Sequence, residues 1–247
     1  IGNVLIVLSM AEYYYAIVLP KQEKDAVALT HVSLLLLLTT TLLVALSVLF
    51  STPISMIFKS PNLAKYYWLM PLYVLIMGMW NVLNYWYIRK KSFGRISGYQ
   101  MSQSILSAGG KLGLGYAGVL QGGMIYATVI APFIALLSSL LLSFRKTLRP
   151  LLFFSKIDVL TQARVYRNFP CFVLPRSFIN VLAGQLPVLL LTPFFGAKYV
   201  GLLSMAVLLA YTPIGTISRA IYQVLYQHTT ECVHQSLPIK SMFRRFI

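Results

Sequence analysis

Four ionisable side chains lie inside otherwise apolar stretches of the chain: Glu12, Lys111, Arg176 and Arg219. A charge at the centre of a bilayer costs roughly 2.5–3.5 kcal/mol on insertion scales, so such a group faces protein or water and marks a functional site. Arginine binds phosphate through paired, charge-assisted hydrogen bonds. A carboxylate at the same depth can take up a proton or a cation. These residue types therefore predict an anion site and a proton or cation site.

Amide side chains share helical faces with these charges. Asn180 lies one turn after Arg176, and Gln223 one turn after Arg219, at the i, i+4 spacing that places both on one face. Two further segments carry polar stripes of their own: Asn81, Asn84 and Tyr85 on one, and Gln100, Gln103, Ser104, Ser107 and Lys111 on the other. One stripe alone can simply hold helices together. Stripes on at least four segments favour a shared aqueous cavity suited to an anionic headgroup.

The depth of the charged residues allows them to meet. At 1.5 Å per helical residue, Arg176 lies roughly 9 Å and Arg219 roughly 12 Å inside the ends of their segments, and Glu12 lies at a comparable depth. Two other interpretations stay open. The long side chains of Lys111, Arg176 and Arg219 can reach the headgroups from within the bilayer. Glu12 can be satisfied by a hydrogen bond or an ion pair and have no further role.

The composition indicates which elements position these residues. The 247 residues are 58% hydrophobic and 11% charged, whereas a soluble domain carries roughly 25% charged residues. The ranges 27–58 and 112–144 contain no charge, and two cysteines are too few for a disulfide framework. These features exclude a soluble globular domain, a disordered chain and a disulfide scaffold, and they predict an all-α polytopic membrane protein.

Seven segments reach the roughly 20 apolar residues that a transmembrane helix needs. Fifteen of the 21 Lys and Arg residues fall in loops on one side of these segments, three fall on the other side, and three lie within the segments. The positive-inside bias therefore places 20–25, 89–95, 144–169 and the tail in the cytoplasm. The predicted spans are 1–19, 26–50, 66–88, 96–114, 120–143, 170–195 and 199–227.

The longest cytoplasmic loop, 144–169, separates a first helical lobe, 1–143, from a second lobe that starts at 170 and includes 170–247. Prolines are concentrated in the second lobe, and we expect Pro213 with Gly215 to interrupt its second span, because proline removes a helical hydrogen bond. The net charge of +16 follows from the topology. It predicts anionic membrane lipids as partners and no nucleic acid.

The sequence does not favour an enzyme. Only five acids occur, Glu12 is the only one within a span, and no motif of a hydrolase or of a phosphate-binding loop is present. His228, Glu231, Cys232 and His234 lie close together, but their spacing fits no standard zinc pattern, so neither a metal nor a cofactor is predicted. A membrane glycosyltransferase or polysaccharide polymerase stays open as a less favoured alternative.

Several motifs together resemble bacterial polysaccharide flippases of the O-antigen type, which belong to the multidrug/oligosaccharidyl-lipid/polysaccharide exporter superfamily. Individually the motifs are short, and their order and spacing along the chain carry the resemblance. Met10 and Ala11 precede Glu12, where the family often has an Arg just before its Glu. The motifs are Ala16 to Lys21 with Glu23 and Asp25, Asn84 to Trp86 ahead of Arg89, Phe169 to Pro187 running into Phe194 to Gly196, and Pro213 to Gln227.

The resemblance implies a two-lobed exporter fold around a central cavity, and we expect the sequence to be a piece of a longer protein, covering roughly spans two to eight. It implies a flippase of the bacterial inner membrane that moves undecaprenyl-diphosphate-linked oligosaccharide by alternating access, alongside other polysaccharide-assembly proteins. On this hypothesis Arg176 and Arg219 hold the diphosphate, and Glu12 is the coupling site for H⁺ or Na⁺. On the same hypothesis, the side chains that bind sugar hydroxyls are Asn81, Asn84, Gln100, Gln103, Asn180 and Gln223. The alternative within the superfamily is a multidrug or cation exporter.

Overall fold

The computed structural model describes residues 2–50, 65–116, 122–143, 148–152 and 156–235, and every regular element in these ranges is helical. Four of the helices are long and apolar enough to cross a membrane. The protein is therefore an all-α polytopic membrane protein, as the composition predicts. The four helices are Glu23–Phe50, Gly123–Ser143, Phe169–Val188 and Tyr199–His234.

Eight α-helices follow one another along the described chain. The predicted spans 66–88 and 96–114 correspond to α4 and α5. Both helices contain amide, aromatic and glycine residues among their apolar ones. The helices are α1 (Gly2–Ser9), α2 (Tyr13–Ala16), α3 (Glu23–Ser47), α4 (Leu69–Arg89), α5 (Phe93–Tyr116), α6 (Gly123–Ser143), α7 (Lys156–Val165) and α8 (Leu174–His234).

The prediction of one continuous span over 1–19 is wrong. Helix α1 ends at Ser9, and the four-residue helix α2 begins only at Tyr13. Between them, Ala11 and Glu12 have positive φ angles of 46° and 62°. Neither residue prefers this left-handed conformation, so contacts with other parts of the molecule hold the break.

The turn between α4 and α5 is short because α4 ends in a Schellman motif. Lys91 adopts the left-handed conformation, with φ 53°. The amide N–H of Ser92 donates to the Tyr87 carbonyl at 2.9 Å, and that of Lys91 donates to the Ile88 carbonyl at 3.0 Å. This pair of bonds satisfies the last carbonyls of α4, and α5 begins at Phe93.

Residues 1–174 form one compact unit. Within it α3 runs beside α4 and α7, and α5 runs beside α6. A Cβ at Gly78 would overlap the Cδ1 atom of Leu37, so the glycine lets α4 approach α3 closely. Trp86, Tyr87 and Ile88 near the end of α4 are fully buried, and this burial fixes the position of Arg89.

Residues 175–247 form the second unit, of which the structure describes 175–235, that is, helix α8 from its second residue onward and Gln235. A single residue, Gly196, departs from helical dihedrals within α8, with φ 75° and ψ 162°. The predicted interruption at Pro213 and Gly215 is wrong, because the helix passes through both residues. An internal proline can be accommodated with a lost hydrogen bond and a kink. The assignment of the two lobes, 1–143 and 170–247, stays a prediction.

Candidate functional site

The carboxyl group of Glu12 lies at the break between α1 and α2 and is 1% exposed. Side-chain hydrogen bonds connect Tyr14 with Glu12 and Tyr15. An isolated carboxylate is costly to bury unless hydrogen bonds or opposite charges surround it. The tyrosine hydroxyl offers such a hydrogen bond, and a proton or a cation would neutralise the charge.

Three tyrosine rings pack together beside this carboxyl group. The ring of Tyr14 stacks on that of Tyr15, with centroids 4.5 Å apart, and lies 5.2 Å from the ring of Tyr85 on α4. Tyr15 and Tyr85 meet edge to face at 4.9 Å. We call Glu12, Tyr14, Tyr15 and Tyr85 the carboxyl–tyrosine cluster. Aromatic faces attract cations, so the cluster is chemically suited to a small cation as well as to a proton.

Hydrogen bonds brace the break on its α1 side. The Ser9 hydroxyl donates to the Ile6 carbonyl at 2.7 Å. The Thr40 hydroxyl of α3 lies 3.0 Å from the Ser9 carbonyl and 2.7 Å from the carbonyl of Leu36 in its own helix. These contacts satisfy carbonyl groups that the end of α1 leaves without helical partners.

The α2 side of the break is attached to two other elements. The Tyr13 hydroxyl donates to the Ala163 carbonyl of α7 at 2.9 Å. The guanidinium of Arg89, at the end of α4, lies within hydrogen-bonding distance of five carbonyls in the segment 17–22. From Nη1 the distances are 3.2 Å to Ile17, 3.2 Å to Val18 and 2.7 Å to Pro20, and from Nη2 they are 3.4 Å to Lys21 and 3.2 Å to Gln22.

Charged side chains surround the Arg89 guanidinium. Burial lowers the pKa of Arg89, while the nearby carboxylates of Glu23 and Asp25 and the Tyr166 hydroxyl oppose that shift. Burial raises the pKa of the Tyr166 hydroxyl, Asp25 adds to the increase, and Arg89 counteracts it. Lys90 forms an ion pair with Glu23 at 2.6 Å. The loops predicted to be cytoplasmic at 20–25 and 89–95 thus meet at one end of the first unit.

Aromatic packing joins the two amide-bearing stretches of α4 and α5. Trp80 stacks on Tyr99 with centroids 3.3 Å apart. Asn81 follows Trp80 and is half-buried, and Asn84 is buried one turn later. Gln100 and Gln103, one and four residues after Tyr99 on α5, are half-buried. The structure thus places these two predicted sugar-binding stretches on neighbouring helices, and their role stays a prediction.

The remaining predicted substrate residues lie on α8. Arg176, Asn180 and Arg219 are exposed, whereas Gln223 is buried. Arg176 and Asn180 precede the break at Gly196, and Arg219 and Gln223 follow it. The proposed diphosphate contacts are therefore available on the surface of this helix and stay a prediction.

The described residues include no group of three or more His, Cys, Asp or Glu side chains that could hold a metal ion. In the segment 228–234, where His228, Glu231, Cys232 and His234 lie close together in the sequence, His228 Nδ1 and Cys232 Sγ lie 3.5 Å apart.

Sequence reasoning missed Arg89 and Tyr13 as parts of this site. From the sequence, Arg89 is expected in a cytoplasmic loop and next to a family motif, with no role in a site. One general rule could have suggested a role for it. A basic side chain is stabilised at the C-terminal end of a helix, where the last carbonyls carry partial negative charge, and another predicted span ends nearby. Nothing in the sequence indicates that Ala11 and Glu12 leave the helical conformation.

Comparison with known proteins gives a family for almost the whole chain. Residues 13–247 match the family model described as polysaccharide biosynthesis protein. No curated protein and no solved structure matches the chain. The match includes α2, the Arg89 contacts and all of α8. In agreement with the resemblance seen in its motifs, the chain belongs to the polysaccharide biosynthesis protein family.

Proposed function

We propose that the protein moves undecaprenyl-diphosphate-linked oligosaccharide across the bacterial inner membrane, by alternating access, for the synthesis of O-antigen, capsule or exopolysaccharide. The family match over 13–247 carries this proposal. Four helices long and apolar enough to cross a membrane support it. The product of an earlier glycosyl-transfer reaction would be its substrate, and other polysaccharide-assembly proteins would be its partners.

The substrate headgroup explains why arginines and amides are needed. An isolated charge costs tens of kcal/mol to move into a medium of about ε 4, so a diphosphate does not cross hydrocarbon unaided. Guanidinium groups replace its water with charge-assisted hydrogen bonds. On this proposal the exposed Arg176 and Arg219 bind the diphosphate. The amides of Asn180, Gln223 and the stretches 81–84 and 100–103 bind sugar hydroxyls.

The carboxyl–tyrosine cluster would supply the coupling to an ion gradient. Glu12 is buried, and Tyr14 contacts it through a hydrogen bond. A carboxyl group in such surroundings can exist neutral with a proton or charged with a bound cation. Transport of H⁺ or Na⁺ through this cluster would drive the movement of the lipid-linked sugar.

Charge reversal at Arg176 tests the substrate site. In cells that depend on this protein, Arg176→Glu should abolish surface polysaccharide while the amount of protein in the membrane stays normal. Arg167→Glu is the matched control, because Arg167 is exposed and lies outside the proposed site. Normal surface polysaccharide in the Arg176→Glu cells would remove Arg176 from the mechanism.

The carboxyl–tyrosine cluster also favours a second candidate, a multidrug or cation exporter. A buried carboxylate with aromatic rings beside it suits a cationic substrate. Efflux of a cationic dye that depends on the parent protein and is lost in Glu12→Gln would support this candidate. Dye efflux that is the same in the parent and in Glu12→Gln, together with loss of polysaccharide in that variant, would support the flippase.

A further inference from the structure

The break at Ala11 and Glu12 has no local cause in the sequence. Neither glycine nor proline occurs between residues 3 and 19, and Ala and Glu are both good helix formers. Both residues nevertheless have left-handed dihedrals, which are disfavoured for residues with a Cβ. Such a conformation persists only where the surrounding structure determines it.

Arg89 is the strongest of the surrounding constraints on the α2 side. Its two terminal nitrogens reach five carbonyls in six successive residues, 17–22. A guanidinium can do this because its N–H donors form a planar fork, whereas lysine is a compact ammonium group on a flexible stem. The side chain therefore holds the segment that directly follows α2.

We infer that Arg89 is the positioning residue of a two-state segment: residues 2–19 form either the broken helix seen here or one continuous helix, and Arg89 holds the broken form. In the continuous form, the φ angles of Ala11 and Glu12 move by about 110° or more from their present values to those of an α-helix. Helices α1 and α2 cannot both keep their present contacts during this change. Glu12 then leaves the carboxyl–tyrosine cluster.

The link to transport rests on the proposed function. Broken transmembrane helices place ion sites at their interrupted ends in transporters. Here the interruption carries the buried Glu12, so a change between the two forms opens and closes the coupling site. Arg89 acts on Glu12 through the segment 17–22 and does not itself bind the ion.

A distance measurement between spin labels tests the two forms directly. Labels at Asn3→Cys and Lys21→Cys, both exposed positions, flank the break, in a background with Cys171→Ser and Cys232→Ser. We expect one main distance in the parent. Arg89→Ala should shift the ratio of the two populations roughly tenfold towards a second distance, since contacts of a charged donor are lost.

Two variants control for charge and for geometry. Arg89→Lys keeps the charge but not the planar fork, so it should shift the distance in the same direction as Arg89→Ala. Lys24→Ala removes a charge from an exposed residue in the first turn of α3, and it should leave the distance unchanged. An unchanged distance in both Arg89 variants would overturn the inference.

A glycine at position 11 gives an independent test that does not depend on the folding of Arg89→Ala. Glycine adopts positive φ without the Cβ penalty, so Ala11→Gly should favour the broken form roughly fivefold. Combined with Arg89→Lys, it should restore the parent distance and the transport rate. Failure of Ala11→Gly to reverse the shift would show that Arg89 does not act through the break, and would overturn the inference.

Transport of lipid-linked oligosaccharide into vesicles separates this inference from the proposed function. A transport rate in Arg89→Lys equal to that of Lys24→Ala, despite a shifted distance, would overturn the positioning role in transport. Absence of transport by the parent itself would contradict the proposed function, while the distances would still decide whether Arg89 controls the break.

Discussion

Two helix breaks in this protein have different causes. At Gly196 in α8, the dihedrals of φ 75° and ψ 162° belong to a region that essentially only glycine adopts. At Ala11 and Glu12, the residues themselves favour a helix, and the left-handed conformation is held from outside. The first break is encoded by one residue, whereas the second depends on hydrogen bonds from α3, α4 and α7.

The difference indicates which break can serve as a switch. A break encoded by glycine does not depend on contacts with other elements, so loss of such contacts does not by itself restore the helix. A break imposed by contacts disappears when those contacts are lost, because the chain there prefers the helical form. The pair Ala11 and Glu12 therefore has a second conformation close in free energy, and it is the break that carries a buried carboxyl group.

The largest expected effect is on the free energy of unfolding and comes from removing a buried side chain of α4 next to Arg89. Trp86 is fully buried and lies one turn before Arg89 on α4, whereas Trp68 is 54% exposed. We expect Trp86→Ala to lower the free energy of unfolding by about 3–5 kcal/mol, as for other large buried side chains. Titration with SDS in mixed micelles measures this value. Trp68→Ala is the control and should change it by about 0.5 kcal/mol or less. Equal effects would show that the end of α4 is not a rigid support.

The break at Gly196 should respond to a single methyl group. A Cβ at Gly196 meets no atom within 4 Å, so Gly196→Ala tests the backbone alone, and we expect it to cost about 1–3 kcal/mol. Gly201 also has open space around it but is helical. Gly201→Ala should therefore stabilise α8 by about 0.5–1 kcal/mol. The same unfolding titration measures both, and effects of equal sign would contradict a break encoded by Gly196.

Most of the helices could be predicted from the sequence because the signal is local. Long apolar runs predict α3, α6 and the two arms of α8, and charged residues bound most of them. The carboxyl of Glu12 could be recognised as unusual because an acid within an apolar segment is costly. Its burial at a helix break follows from contacts with Thr40, Arg89 and Ala163, which are distant in sequence and leave no local pattern.

Proline led to one wrong prediction in α8, an additional interruption. The residues Pro213 and Gly215 disfavour a helix, yet α8 continues through them. The loss of one hydrogen bond at a proline is small beside the cooperative bonds of a long helix. The predicted interruption at 213–215 therefore reflects propensity alone. The break at Gly196 lies between the predicted spans 170–195 and 199–227, and its dihedrals are ones that essentially only glycine adopts.

The smallest predicted effect concerns a single contact at the break between α1 and α2, the one between Thr40 and Ser9. The Thr40 hydroxyl contacts the Leu36 carbonyl of its own helix and the Ser9 carbonyl of α1. The Thr39 hydroxyl contacts only the Leu36 carbonyl among the bonds that the structure describes for it. Thr40→Val and Thr39→Val each remove a hydroxyl contact with the Leu36 carbonyl, so the difference between their effects measures the contact with Ser9. We expect Thr40→Val to cost about 1 kcal/mol more than Thr39→Val and to move the spin-label distance towards the continuous form. Equal values would mean that α3 does not hold the break, leaving Arg89 and α7 to do so.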